Sequence, residues 1–565
     1  TCLLIQQRNM DQIPNIQNPF EEQSNDLMVL DTKDIVDKSV EESVRNAERL
    51  GKEQYMNFVK SRLIEGTIPI SDTIKKNKLP LFNYKPTEPA KQNKMTALKN
   101  DVNLFSQLYI GTQSRDGDLD NFFSHENQSS PPSLSNEGSP RSGDKSALLP
   151  YLESECTIQS NAPAVDVKVF DGAAIVQMLN QKMCRTFKDY SDEVFAPYML
   201  HQLQTVTRID LVWDVYLKDS LKAGLREKRG KGFRKRVISS ATMPKPKEWG
   251  DFLRVDENKT ELFKFLSSEL IKKPCPEGKI IIATDEASVL SSSQDVTLDT
   301  ISPCIQEEAD TRVILHVKDA IEKGYSRVMI KTVDTDIVVI AISFFSRLQP
   351  EEFWVAFGTG NNHRFIAIHE IANSLSPSMC SALPMFHAMT GCDTVSFFYR
   401  RGKSKAWETW AAYPDVTEAF QMMTEDVSDE MFSLIERFVV LMYESTSNMY
   451  KVNQARKELF TKKSRSLENI PPTQAALKQH VLRAQLQAMI WINACVKAPP
   501  LHDPGKFGWV RENNKWKPFW TDLPQAAKSC YELIKCGCKK GCIRNCKCRN
   551  TQLKCTALCA CGGDC

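Results

Sequence analysis

Seven carboxylates in five short motifs are the residues best suited to carry chemistry in this chain. The motifs read VFDG, VWDV, EEADTR, VDTDIVVIA and TGCDT, and seven of their eight acids are the candidates: Asp171, Asp214, Glu308, Asp310, Asp334, Asp336 and Asp393. The motifs adjoin apolar, strand-like runs or predicted helix ends, where ionised carboxylates are expensive to desolvate. Such a set of acids is tolerable if bound cations neutralise it.

Oxygen ligands of this kind favour hard divalent cations, and we predict two ions of Mg²⁺ or Mn²⁺. Two such ions roughly 3.5–4 Å apart would activate a water molecule and stabilise the leaving oxygen of a phosphodiester. The simpler interpretation is that each Asp is a turn residue or a helix cap. The ordered set of five motifs favours metal binding.

Nine of the eighteen cysteines fall in the last thirty residues. Three tetrahedral zinc ions need twelve ligand positions, which nine thiolates supply if three of them bridge two metals. The predicted ligands are Cys536, Cys538, Cys542, Cys546, Cys548, Cys555, Cys559, Cys561 and Cys565. A disulfide framework or a metallothionein-like sink are the alternatives, and the scattered single cysteines elsewhere disfavour disulfides.

A basic segment directly follows Asp214. Residues 218–236 contain nine Lys or Arg and two acids. The predicted phosphate contacts are Lys222, Arg226, Lys228, Arg229, Lys231, Arg234, Lys235 and Arg236. A solvated helix face or a nuclear localisation signal (KRGKGFRKR) are the alternatives, and the signal is compatible with nucleic-acid binding.

Apolar β-rich runs at 165–172, 208–215, 278–286 and 326–341 alternate with helical segments such as 307–324. This alternation predicts an α/β fold with a mainly parallel sheet flanked by helices. Ligands of such sheets bind beyond the carboxyl ends of the strands, so acids spread over more than 220 residues are expected to converge there.

The expected organisation is a helical N-terminal region (1–112), a flexible linker or loop (113–163), the α/β domain (164–414), a helical region with a Trp-rich segment (415–530) and a zinc module (531–565). The net charge of +3 does not identify a partner, and no apolar run is long enough to span a bilayer. A reducing compartment is expected from the cysteine distribution, and the basic segment points to the nucleus.

The order of the five acidic motifs resembles the nuclease core of flap endonucleases and XPG-type enzymes, in the PIN-like superfamily. The resemblance covers about residues 165–410 and implies metal-dependent hydrolysis of branched or single-stranded-ended DNA or RNA by the seven acids. Family members continue with a Gly-rich helix-hairpin that grips DNA. Here FFYRRGKSKAW keeps Gly402 and Lys403, a further candidate nucleic-acid contact, but lacks the second glycine.

The cysteine spacing resembles the CXC module of tesmin-type and pre-SET regions, although the aromatic residue usual in tesmin-type DNA-contacting loops is absent. The chain also resembles uncharacterised, transposon-related animal proteins. The leading hypothesis is therefore a nuclear nuclease acting on DNA, or less favourably RNA. The alternatives are a catalytically inactive, transposon-derived chromatin-binding protein and an RNase-H-like transposase, whose chemistry needs only three spaced acids.

Overall fold

The computed structural model describes residues 27, 35–74, 105, 106, 108, 109, 112, 118–217, 219–226, 245, 246, 248–423, 428–527, 538, 542, 546, 560 and 561. The chain forms two compact units. Unit 1 contains residues 1–90, 180–198 and 229–270, and unit 2 contains residues 91–179, 199–228 and 271–565.

Unit 1 is helical where it is described. Its helices are Lys38–Arg45, Ala47–Phe58, Val59–Ile64, Phe187–Asp189, Tyr190–Phe195, Trp249–Phe252 and Asp256–Ile271, the last of which ends in unit 2. Buried aromatic rings form part of its core, with Trp249 packed 5.2 Å from Tyr190 and 5.4 Å from Phe252 between ring centroids. Three of these helices lie within residues 1–112, the N-terminal region that the sequence predicts to be helical.

Unit 2 is built on one seven-stranded sheet. Its strands are β1 (Val167–Asp171), β2 (Arg208–Val212), β3 (Ile280–Asp285), β4 (Ser288–Ser291), β5 (Arg327–Thr332), β6 (Glu352–Phe357) and β7 (Arg364–Ala367). They lie in the order β4-β3-β2-β1-β5-β6-β7. All neighbours are parallel except the two hairpins at the edges, β3 with β4 and β6 with β7.

The strand order explains where a ligand would bind. From β1 the chain proceeds outward through β2 and β3, then returns to the other side of β1 and proceeds through β5 and β6. The side of the sheet to which new strands are added therefore changes between β1 and β5. A doubly wound sheet has its binding crevice at this reversal, beyond the carboxyl ends of the strands. The predicted α/β class with a mainly parallel sheet is confirmed.

Helices cover both faces of the sheet and extend the core. In unit 2 they are Leu119–Ser124, Lys145–Leu148, Leu149–Glu153, Gly172–Met178, Ala196–Gln204 (which begins in unit 1), Leu221–Arg226, Ala309–Glu322, Thr335–Leu348, Gly360–Asn362, Ile368–Ser374, Pro377–Met389, Lys403–Ala412, Val416–Met422, Asp429–Tyr443, Val452–Thr461, Leu467–Asn469, Gln474–Ile492 and Pro504–Lys506. Two small hairpins pair Ser135–Asn136 with Ser139–Pro140 and Trp509–Glu512 with Lys515–Pro518.

One apolar cluster runs from Leu134 through the sheet to Ala494. The helices after residue 415 therefore complete the core of the sheet and do not form a separate region. Residues 118–163 also differ from the expected flexible linker, because Leu148, Leu149 and Leu152 are fully buried in this cluster.

The apolar run at 337–342 forms a helix, which corrects the prediction of a strand over 326–341. Strand β5 ends at Thr332, and Asp334 then caps helix Thr335–Leu348 by accepting a 2.8 Å hydrogen bond from the Asp336 N–H. The helix packs against helices Ala309–Glu322, Ile368–Ser374 and Pro377–Met389, so it is apolar on almost every side. A helix without a polar face has the same apolar pattern as a buried strand.

A buried ionic network lies at the amino ends of the strands, at the start of β2. The Arg208 guanidinium donates to Asp210 Oδ1 at 2.6 Å and to Asp319 Oδ2 at 2.7 Å. His316 Nδ1 lies 2.7 Å from Asp210 Oδ2. All four side chains are at most 1% exposed, so each charge depends on its partners for solvation.

Candidate metal centre

Asp171 and Asp214 follow the two neighbouring strands β1 and β2. Asp171 is the last residue of β1, and its carboxylate accepts from the Ala174 N–H at 3.2 Å and from the Thr332 hydroxyl at 3.1 Å. Asp214 Oδ1 accepts from the Ala309 N–H at 2.9 Å. These bonds fix both carboxylates at the carboxyl edge of the sheet.

Glu308 and Asp310 lie at the start of helix Ala309–Glu322, where the helix dipole favours anions. The Lys222 ammonium approaches them, at 3.1 Å from Glu308 Oε1 and 3.8 Å from Asp310 Oδ2. Glu308 is 7% exposed, and its Oε2 has no hydrogen-bond partner in the described part of the chain. A buried carboxylate oxygen in this position is available to coordinate a cation.

Asp334 and Asp336 lie at the start of helix Thr335–Leu348, directly after β5. One carboxylate oxygen from each of Asp310, Asp334 and Asp336 lies within 4.8 Å of the other two. The three acids therefore meet at the reversal between β1 and β5.

Asp393 follows helix Pro377–Met389 and is more exposed, at 38%. The backbone turns at Gly391 with φ +113°, and a Cβ at that position would lie 2.4 Å from the Phe397 ring. A glycine is therefore needed at the turn that brings Asp393 to the rim. The structure brings all seven predicted acids to this edge of the sheet.

Lys145 is a residue of the site that sequence reasoning missed. Its Nζ lies 2.8 Å from Asp334 Oδ1, 3.0 Å from Asp336 Oδ2 and 3.4 Å from Asp393 Oδ1. It comes from the Ser- and Gly-rich stretch SPRSGDKS, which gave no indication of a buried role. The one useful signal was the apolar run ALLPYL directly after it, which anchors the segment in the core.

The crowded acids differ in pKa. Burial, and then the charge of Asp214, raise the pKa of Asp171 to about 7. Burial and the charge of Asp336 raise the pKa of Asp334 to about 6, and burial also raises the pKa of Asp310 well above its usual value. For Asp336 burial acts in the same sense, but Lys145 and His387 outweigh it and lower the pKa.

His387 contacts Asp336 on the buried side of the cluster. Its Nε2 lies 2.9 Å from Asp336 Oδ1, and the ring is fully buried. Burial, and then the charge of Lys403, lower the pKa of His387 to about 4. The ring is therefore neutral at physiological pH, and the tautomer with the proton on Nε2 donates to the carboxylate.

Lys403 does not lie on a nucleic-acid-binding surface. Its side chain is fully buried, and its ammonium donates to the His387 carbonyl and, at 2.8 Å, to the Thr390 hydroxyl. This placement contradicts the predicted phosphate contact of Lys403, because the charge satisfies interior oxygen atoms.

The basic segment is described only in part. Lys222 turns toward Glu308 and Asp310, which leaves its ammonium bound to acids. Its helix, Leu221–Arg226, packs against the strand Lys515–Pro518 and ends at Arg226. Six predicted contacts lie outside the described residues: Lys228, Arg229, Lys231, Arg234, Lys235 and Arg236.

A second candidate metal group lies in the cysteine tail. The Sγ atoms of Cys538, Cys542 and Cys546 lie within 4.8 Å of one another. Two thiolates bound to one tetrahedral zinc are roughly 3.8 Å apart, so the three fit a common ion. Cys561 lies in a turn, and Cys536, Cys548, Cys555, Cys559 and Cys565 lie outside the described residues.

The donor set at the sheet edge fits a divalent cation. All its ligand atoms are carboxylate oxygens, which suit Mg²⁺ or Mn²⁺, and the buried Glu308 Oε2 offers a coordination position. The Lys145 and Lys222 ammonium groups already offset part of the negative charge.

Comparison with known proteins identifies no relative of this chain. No protein-family model matches the sequence, and a search of curated proteins finds no match. Among the described residues, no helix combines the length and the apolar character needed to cross a membrane.

Proposed function

We propose that this chain is a metal-dependent, structure-selective nuclease with a PIN-like core. The observation that supports this proposal most strongly is the convergence of Asp310, Asp334 and Asp336, with carboxylate oxygens within 4.8 Å, at the reversal between β1 and β5. Acids from the starts of two helices meet where doubly wound sheets bind their ligands.

Seven acids would hold the cations: Asp171, Asp214, Glu308, Asp310, Asp334, Asp336 and Asp393. Bound Mg²⁺ or Mn²⁺ would supply Lewis-acid stabilisation of the phosphodiester oxygens. The protein supplies the orientation, because hydrogen bonds from Ala174, Thr332 and Ala309 hold two of the acids in place.

Nucleic acid is the proposed substrate, with DNA favoured over RNA. Support comes from the basic residues of 218–236 and from the cysteine tail, which we propose is a CXC-type module of about three zinc ions. The tail carries six Lys or Arg and one acid between Cys536 and Cys565, so it suits a phosphate backbone. The proposed location is the nucleus.

The alternative function is that of a catalytically inactive, transposon-derived chromatin-binding protein. The positions of Lys145 and Lys222 favour it, because two ammonium groups among the acids stabilise the cluster without any metal ion. An acidic cluster neutralised by lysines suits a protein that keeps the fold but has lost catalytic activity.

Cleavage of end-labelled flap and single-stranded substrates in Mg²⁺ or Mn²⁺ separates the two functions. We expect wild-type cleavage, and a loss of at least about 100-fold in Asp310→Asn, which removes one ligand charge. Asp295→Asn, at an exposed loop acid, is the matched control and should cleave normally. Binding without cleavage by the wild type on every substrate would establish the alternative.

A further inference from the structure

The Lys145 ammonium group is shared by three carboxylates of the candidate metal centre. Its Nζ contacts Asp334, Asp336 and Asp393 at 2.8, 3.0 and 3.4 Å. Asp334 and Asp336 accept hydrogen bonds from the ammonium group, and Asp393 adds an ion pair. The side chain is only 20% exposed, and its charge is directed inward.

A rigid element holds Lys145 in this position. The residue begins the short helix Lys145–Leu148, which Asp144 caps by accepting from the Ser146 N–H at 2.9 Å. Leu148 and Leu149, at the end of this helix and directly after it, are buried in the core of unit 2. The ammonium is therefore positioned by packed backbone and not by a mobile chain end.

Lys145 also takes up ligand atoms that a second metal ion would need. Asp336 uses Oδ1 for His387 and Oδ2 for Lys145. Asp334 Oδ1 already accepts the Asp336 N–H, and both Asp334 oxygens lie within 3.0 Å of the ammonium. A divalent ion between these two acids would lie beside a positive charge that is fixed to the fold.

We propose that Lys145 fills one of the two cation positions itself, so that the centre binds one divalent ion. This inference rests on the metal-dependent function proposed above and changes its stoichiometry from two ions to one. The remaining ion would be bound by Glu308, which keeps its Oε2 available. Lys145 is then a positioning residue that orients Asp334 and Asp336 in place of a metal ion.

Counting bound Mn²⁺ tests this inference without any reaction. The zinc-loaded full chain is titrated with Mn²⁺, and the free ion is followed by electron paramagnetic resonance. We expect one ion per wild-type chain and two in Lys145→Met, which removes the charge and keeps the length. Lys145→Arg and the surface control Lys318→Met should each bind one. Glu308→Gln, which removes the charge of the carboxylate with the available oxygen, identifies the cluster as the binding site if it weakens Mn²⁺ binding at least tenfold.

Each other result contradicts the inference in a distinct way. Two Mn²⁺ ions in the wild type would overturn the role of Lys145 and leave the proposed function intact, and this count does not depend on any variant folding. One ion in both wild type and Lys145→Met would show that Lys145 does not exclude the second ion. No Mn²⁺ in either protein would overturn the metal centre and the proposed function together.

Discussion

His387 Nε2 lies 2.9 Å from Asp336 Oδ1, at the bottom of the acidic cluster and out of contact with solvent. This pair connects helix Pro377–Met389 to the start of helix Thr335–Leu348. The neutral imidazole gives the carboxylate a hydrogen bond without adding a charge, so it fixes the orientation of Asp336, whose charge is offset by Lys145.

Replacing this imidazole should destabilise the protein. His387→Ala leaves a cavity and removes the donor of a buried carboxylate, and we expect a loss of about 2–4 kcal/mol in the free energy of unfolding. Urea denaturation followed by circular dichroism measures it. The exposed His201→Ala is the control and should change stability by less than about 0.5 kcal/mol. Equal stability of both variants would mean that the pair does not contribute.

The buried network at the start of β2 should be intolerant of losing its cation. Arg208→Met leaves Asp210 and Asp319 without their guanidinium partner, and we expect a loss of about 3–5 kcal/mol. Lys405→Met breaks an exposed pair with Glu408 and should cost less than about 1 kcal/mol. Chemical denaturation of the two variants gives the comparison, and similar midpoints would contradict the importance of the network.

The contribution of Asp171 to the stability of the metal-free protein should fall as the pH rises. Burial, together with the charge of Asp214, raises the pKa of Asp171 to about 7, against about 3.9 in an unfolded chain. The folded state thus binds more protons between these two values. The contribution of Asp171 is fully favourable below about pH 4 and is lost as the pH rises through 7.

Asp171→Asn tests this linkage because Asn keeps the helix cap and removes the charge. At pH 8 without divalent ions, we expect the variant to be more stable than wild type, by on the order of 2–4 kcal/mol. At pH 4 the difference should nearly vanish. Denaturation at the two pH values measures it, with Asp295→Asn as control. A variant that is less stable than wild type at pH 8 would disprove the linkage.

The cysteine tail should hold close to three zinc ions per chain. The count follows from nine thiolates filling twelve tetrahedral positions, and elemental analysis of the purified protein measures it. Cys542→Ser, which alters the described thiol group, should lower the count by at least one. Cys495→Ser, in the helical part of unit 2, should leave it unchanged. A wild-type count of one would reject the three-zinc cluster.

Sequence reasoning located the acids of the site because their positions obey a general rule. Asp171, Asp214 and Asp334 each follow a parallel strand, and parallel strands share one carboxyl edge. The rule needs only the order of strands and acids along the chain. Their convergence could therefore be predicted without a structure.

The same reasoning failed where the pattern was ambiguous or long-range. The run Ile337–Ile342 favours a strand by composition, and its helix was indicated only by the capping position of Asp334. Lys145 reaches the acids across 189 residues of sequence from a polar stretch. Nothing local distinguishes it from a surface lysine, because its role arises from tertiary packing alone. The division into two units likewise depends on packing between distant segments.

The apolar cluster that joins Leu134 to Ala494 has a consequence for how this chain can change over time. A sheet that shares its apolar core with helices far along the chain cannot be transferred between genes as an independent domain. Recombination near residue 415 would remove the helices that pack on helix Pro377–Met389 and expose the apolar surface of that helix to water. Any lineage carrying this architecture must therefore inherit its middle and its late helices together.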